Sequence, residues 1–312
     1  MKILNLSCGA VGAYFCGKLA QNGFDVAVTV RSDIDLIKRQ GFKVKSINGD
    51  FVFMPSAVLS SAGEYTGIPD YVIVSCKALP QADIVGSLRE VIKPASRIVL
   101  IQNGLDIEED IARAFPENEV LSAIAYIGVT RTAPGQVEHI GNGRLIIGKY
   151  KNGPSAGARE LCRAFECSGV PAQYTEDIAL FRWKKLLWNI PFNSLSVLGG
   201  SLLTCEMTDG GEMEWLCRKL MEEVICTAQA CKVNLTEDMI RENMEYTRNF
   251  PPYKTSMLID YENGRPLEAE AILGAVIKHA KAQKIAVPHL MTVYILLKAL
   301  NRKRQESMSG NR

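Results

Sequence analysis

Long apolar runs are missing from this chain. No stretch reaches the roughly 18 consecutive apolar residues that a membrane-crossing helix needs, so no membrane partner is expected. A surplus of either charge is missing too: 36 Lys and Arg stand against 34 Asp and Glu, a formal net charge of +2. Such a balance points away from nucleic acid, whose phosphates demand a basic surface. The basic cluster Arg302-Lys303-Arg304 reads as a solvated helix end, where cations favour the dipole. A cysteine framework is absent. The nine cysteines are odd in number, include no C-x-x-C pair, and the pairs Cys162/Cys167 and Cys226/Cys231 are each five apart. That pattern argues against zinc and for reduced thiols, and no metal is expected. Internal repeats and low-complexity linkers are also lacking. The chain starts directly as an apolar strand, with no leader ending in a small-residue cleavage site, so a cytoplasmic location is expected.

What is there is enough for a large core. Of 312 residues, 47% are hydrophobic and 22% charged, which suits one large or two ordinary domains. Residues 2–6 form a short apolar strand, followed by Ser7-Cys8-Gly9-Ala10-Val11-Gly12, a helical run over 13–22 and a second apolar strand over 25–30. Strand, Gly-rich turn, helix and strand in that order are the setting of a dinucleotide fingerprint. Gly9 would let the backbone approach a pyrophosphate, Gly12 would let the helix pack closely on the strand, and the helix N-terminus would face the phosphates. Ser7 stands where the fingerprint has its first glycine, so the tight turn must form around a side chain. The second strand ends in Val30-Arg31-Ser32 instead of the acidic residue that holds a ribose hydroxyl in NAD sites. A guanidinium there suits a 2′-phosphate, favouring NADP, although a surface arginine at a strand end is the plainer reading.

Two further apolar strands end at Cys76-Lys77-Ala78 and at Gln102-Asn103-Gly104-Leu105, and polar groups at the carboxyl ends of parallel strands sit where ligands bind. Lys77 and Asn103 are therefore candidate contacts; the alternatives are a solvated loop lysine and an Asn-Gly turn. Turn signals at Ala133-Pro134-Gly135 and Gly141-Asn142-Gly143 make 120–148 an antiparallel edge. His139 within it could be a ligand, but reads first as a structural or exposed histidine.

From residue 178 the period turns helical, with amphipathic stretches over 213–230, 236–246 and 269–281 and a last helix over 288–300. The fold class is thus α/β, with an N-terminal Rossmann-type doubly wound sheet (1–174) and an all-helical C-terminal domain (175–312). Residues 305–312 are expected to be a disordered tail. The stretch Arg182-Trp183-Lys184-Lys185-Leu186-Leu187-Trp188-Asn189-Ile190-Pro191-Phe192-Asn193 opens the helical half. Lys185, Asn189 and Asn193 fall at i, i+4 and i+8, drifting by about 40° per step, so they share a helix face. One ammonium and two amides can hold a small oxygen-rich anion and hand it a proton; a solvated polar stripe is the alternative. Pro191 removes the hydrogen bond to the Leu187 carbonyl and predicts a kink. Further on, Ser256 and Asp260 precede Asn263-Gly264-Arg265-Pro266-Leu267-Glu268.

Taken together, these motifs resemble the ketopantoate reductases, also called 2-dehydropantoate 2-reductases, over about residues 2–300. Gly9, Gly12, Arg31 and Lys77 are similar to that family's NADP site, and Gln102-Asn103-Gly104 to its loop by the nicotinamide. Trp183, Lys185, Asn189 and Asn193 resemble its substrate helix. Ser256, Asp260, Gly264-Arg265-Pro266 and Glu268 resemble its second substrate motif. The resemblance implies that Lys185 donates the proton, that Glu268 assists, and that Asn103, Asn189, Asn193 and Ser256 bind a 2-keto acid in a cleft between sheet and helices. It implies NADP(H) as cofactor, held by residues 7–12 with Arg31, Lys77 and Asn103, a place in pantothenate biosynthesis, and a homodimer as one candidate assembly. Three departures bear on it: Ser7, Pro191, and Leu267-Glu268-Ala269-Glu270 in place of a Thr-Glu-hydrophobe-Asp run. Two other readings stay open, a reductase of another 2-keto acid and an NADP-binding sensor without turnover.

Overall fold

The first strand, β1 (Lys2–Leu6), buries every residue but Lys2, as a strand covered on both faces must. The structure, a computed structural model, describes residues 1–309. After β1 come α1 (Ala10–Gln21), β2 (Asp25–Thr29), α2 (Ile34–Gln40), β3 (Phe42–Ser46), β4 (Phe51–Phe53) and β5 (Ala57–Leu59). Next are β6 (Tyr71–Val74), α3 (Ile84–Arg89), β7 (Arg97–Leu100), α4 (Glu109–Ala114), β8 (Val120–Ala133), β9 (Gln136–Lys149), α5 (Ala156–Cys167) and β10 (Ala172–Tyr174).

These strands form one mixed sheet in the order β4-β3-β9-β8-β7-β6-β1-β2-β5, with β10 paired to β9. From β8 to β5 all neighbours are parallel, and chain order reverses between β6 and β1. That reversal is the switch point of a doubly wound sheet, where ligands bind beyond the carboxyl ends of the strands. Successive strand residues alternate between two cores. Ile3, Tyr71, Ile73 and Val99 pack with α1 and α5, while Leu4, Val72, Val74 and Leu100 pack with α3 and α4. Residues 120–149 form the expected antiparallel pair, turning at Pro134-Gly135, but they do not close the sheet edge as expected: β3 pairs with β9 and β4 lies outermost. The second turn signal, at Gly141-Asn142-Gly143, is a register shift inside β9.

The second unit is helical: α6 (Ile178–Leu198), α7 (Glu212–Ala230), α8 (Asp238–Asn249), α9 (Ser256–Glu262), a π-turn (Glu270–Gly274), α10 (Ala275–Ala282) and α11 (Pro288–Ser309). It changes over from the first unit at residues 178/179, and it also takes in residues 78–80 and 103–106 from the loops after β6 and β7. Its core gathers Trp183, Leu187 and Ile190 of α6 with Leu220 and Val224 of α7 and Leu290 of α11. Pro191 lies inside α6, which continues past it. The C-terminal tail differs from expectation. The α11 helix runs on through Ser309, whereas disorder was expected from 305; residues 310–312 lie outside the described residues. Among the described residues no helix is long and apolar enough to cross a membrane.

Candidate active site

In the first unit, the turn after β1 meets the requirements of an anion cradle. Gly9 is the N-cap of α1, no side chain caps that helix end, and no acidic residue lies in its first turn. The leading N–H groups are thus left for a ligand, with the positive end of the dipole behind them. A Cβ on Gly9 would meet nothing within 4 Å, so the backbone there borders open space. A Cβ on Gly12 would lie 2.4 Å from Ser75 Oγ and 2.6 Å from Asn5 Oδ1, so close packing of α1 on β1 and β6 requires glycine. Ser7 sits at φ 54°, in the left-handed region where glycine is favoured, and Thr29 Oγ1 accepts its N–H at 2.7 Å.

A cavity of about 410 Å³ opens beside this turn, lined by Ser7, Cys8, Gly9, Arg31, Ser32 and Arg131 among others. Arg131, on β8, was not singled out from the sequence. Its guanidinium bonds Asp33 and approaches Ser32 Oγ at 3.4 Å. Two exposed guanidiniums and a hydroxyl on one cavity wall form a group suited to a phosphate. These residues fit a phosphate-bearing dinucleotide. Lys77, at the end of β6, is half-buried with its Nζ withdrawn from solvent. His139 is a structural residue, 1% exposed; its ring contacts Ser46 Oγ at 2.9 Å and the Gly141 and Asn142 carbonyls at 3.1 Å. Burial lowers its pKa.

The second unit holds the other expected residues. Lys185 Nζ donates to Asn103 Oδ1 at 2.5 Å. Gly104 follows at φ +115°, where a Cβ would lie 2.6 Å from Ala271 Cβ, and the Leu105 N–H donates to the Ala271 carbonyl at 2.9 Å. The Asn-Gly pair is thus a fitted turn that presses residues 103–105 onto the π-turn and aims Asn103 at the lysine. Glu268 is buried, and its Oε1 accepts the Ala78 N–H at 2.9 Å.

Arg182, which the sequence pattern did not mark, is buried one turn before Lys185 and donates to the Gly104 carbonyl at 3.3 Å. Its i−3 spacing placed it on the lysine's face, a signal masked because cations side by side usually read as solvated. Burial first, then the Arg182 charge, press the Lys185 ammonium from 10.5 down to about 7, while the Glu268 charge pulls it upward. An ammonium so poised can release its proton near neutral pH.

Asn189 and Asn193 follow along α6, 5% and 1% exposed. Among the described residues neither amide atom of Asn193 has a partner, an expensive state for a buried amide unless a ligand completes it. Ser256 is the exposed first residue of α9. The preceding residue, Thr255, ties that helix start to α6 through Ser196 Oγ at 2.7 Å, and Ser196 in turn donates to the Asn193 carbonyl at 3.0 Å.

Comparison with known proteins agrees across the chain. Residues 4–152 match the family model described as "Ketopantoate reductase PanE/ApbA", and residues 177–301 the model described as "Ketopantoate reductase PanE/ApbA C terminal". A 2-dehydropantoate 2-reductase of Nostoc sp. is 31% identical, covering 95% of this chain and 94% of its own. The crystal structure of 2-dehydropantoate 2-reductase from Methylococcus capsulatus superposes with a TM-score of 0.92 at 42% identity, covering 97% of this chain and 98% of that one. That of 2-dehydropantoate 2-reductase from Geobacter metallireducens GS-15 gives 0.91 at 32% identity, covering 96% and 99%.

Proposed function

Because this chain belongs to the ketopantoate reductase PanE/ApbA family, we propose that it reduces 2-dehydropantoate to pantoate with NADPH, a step of pantothenate biosynthesis in the cytoplasm. The observation that carries this reading is the Lys185 ammonium, bonded to Asn103 and brought to about 7, on the helix that also bears the unpartnered Asn193 amide. When bound, the nicotinamide supplies a hydride to the ketone. Lys185 then stabilises the charge growing on the carbonyl oxygen and delivers a proton to it. Asn103 fixes the direction of Nζ. Glu268, anchored by the Ala78 N–H, supplies the negative charge that keeps a useful fraction of Lys185 protonated. Asn189, Asn193 and Ser256 bind the carboxylate and hydroxyl of the keto acid, which aligns the ketone.

The N-terminus of α1 with residues 7–12 takes the pyrophosphate, and Lys77 serves the same site. Arg31, now joined by Arg131, takes a 2′-phosphate, which favours NADPH over NADH.

The test is NADPH consumption against a panel of 2-keto acids with the parent enzyme and Lys185→Ala. The expected result is a preference for the hydroxylated substrate, 2-dehydropantoate, and a loss in kcat of about 10²–10⁴ in the variant with NADPH binding retained. Preference for another keto acid overturns the substrate, and near-normal turnover without Lys185 overturns the mechanism.

A further inference from the structure

A second ordered set of reactive side chains lies in the helical unit, and the lysine chemistry makes no use of it. Cys231 closes α7, its N–H still bonded to the Thr227 carbonyl at 3.1 Å. Its Sγ is 3.7 Å from His279 Nδ1. The other ring nitrogen of His279, Nε2, lies 2.9 and 3.0 Å from the two carboxylate oxygens of Asp106. Lys278 Nζ stands 3.7 Å from that carboxylate, and the Trp183 ring meets the imidazole edge-on at 5.8 Å between centroids. Thiol, imidazole and carboxylate come from three distant parts of the sequence and fall in line.

The chemistry of that line is specific. A carboxylate on Nε2 holds the tautomer with its proton there, leaving the Nδ1 lone pair toward the sulfur. Burial and then the Asp106 charge raise the Cys231 thiol above its usual value, and the C-terminal end of α7 adds a further penalty on a thiolate. The resting thiol is therefore protonated, and it becomes a nucleophile when a base takes that proton during attack. The site is open to small reagents: Cys231 is half-buried, and the His279 side chain is 31% exposed.

We propose that Cys231, His279 and Asp106 form a thiol-modification site for low-molecular-weight disulfides. Cys231 Sγ attacks one sulfur of the disulfide, a new Sγ–S bond forms and the old S–S bond breaks. His279 Nδ1 takes the thiol proton and returns it to the departing thiolate, which leaves as a free thiol. The cysteine is oxidised, one half of the reagent is reduced, and no further oxidant is needed.

The other thiols supply internal controls. Cys226 and Cys167 are exposed and have no histidine partner among the described residues. Cys16, Cys162 and Cys217 are buried, with burial pushing each up to about 12.

The test treats the folded protein at pH 7 with excess 2-hydroxyethyl disulfide, a neutral probe, and follows each cysteine by peptide mass spectrometry over time. Cys231 should gain its adduct at least about tenfold faster than Cys226 or Cys167, the scale of modest general-base assistance. His279→Asn should lower the Cys231 rate to that of Cys226 and leave the other sites unchanged. Cys231 reacting no faster than Cys226 in the parent protein overturns the proposal, whether or not the variant folds. So does a folded His279→Asn protein that keeps the fast rate.

Discussion

Replacing Lys185 with methionine removes the ammonium while keeping most of the side chain's length, and it isolates the energy stored in that charge. In the folded protein the ammonium titrates near 7, against 10.5 in the open chain. Between those values the unfolded state holds a proton that the folded state has shed, so stability rises with pH through that window, and below about pH 7 the full penalty is present. At about 1.4 kcal/mol per pKa unit, the displacement from 10.5 to about 7 sets an upper limit of about 5 kcal/mol, of which about 2–3 is recovered between pH 6 and 9. Lys185 is half-buried as a residue, so solvent screening brings the realised value toward the lower end.

The variant also strips Asn103 Oδ1 of its donor, a loss of about 1–3 kcal/mol that is the same at every pH. Titrating groups not coupled to Lys185, that is, all but its neighbours Arg182 and Glu268, cancel in the comparison. Urea unfolding followed by tryptophan fluorescence suits the question, because Trp183, Trp188 and Trp215 all lie in the second unit. The parent should gain about 2 kcal/mol on the methionine variant from pH 6 to pH 9. A flat difference would refute the reasoning: Lys185 would then be a permanently charged anchor instead of an acid poised to transfer its proton.

The same displacement fixes the sign of the rate profile. At saturating NADPH, kcat/KM for keto-acid reduction should be level below about pH 6 and fall about tenfold per unit well above pH 7, as Lys185 in the NADPH-bound enzyme awaiting keto acid loses its proton. A profile flat to pH 9 would assign the proton to another group. Asn193→Leu removes a buried amide that bonds nothing among the described residues, so urea unfolding should show a variant as stable as the parent or more stable by about 1 kcal/mol, while KM for the keto acid rises. A large destabilisation would make Asn193 a structural residue. Ser7→Gly relieves a left-handed residue at φ 54° and should raise thermal stability, the gain limited to about 1 kcal/mol by the flexibility glycine adds to the unfolded chain. A markedly less stable variant would show that the serine side chain holds the turn.

Legibility in the sequence followed the range of the interactions involved. The β1–α1–β2 unit could be read because strand alternation, the Gly9/Gly12 pair and helix period are all local signals, and the 120–149 hairpin announced itself through its turn residues. The pairing of β3 with β9, and the return of β10 to the same strand, join segments about 30 to 90 residues apart in sequence, where period carries no information. The candidate site divides the same way. Lys185, Asn189 and Asn193 share a face by helical spacing alone, so their alignment was visible before any tertiary structure. Arg131 beside Ser32, and Cys231 beside His279 and Asp106, meet only through the fold, and nothing local marks them.

The helix pattern can show that a lysine shares a face with two amides, but not what that lysine's pKa will be. The value near 7 comes from burial, from Arg182 and from Glu268 together. Their placement depends on residues 78–80 and 103–106, loop segments that follow sheet strands in sequence yet pack with the helices. Gly104 is the hinge of that arrangement, since a side chain there would strike Ala271 and lift the turn that presents Asn103 to the ammonium. The Asn-Gly pair after β7 therefore matters less as a turn signal than as the condition for Lys185 to be held, buried and tuned at once.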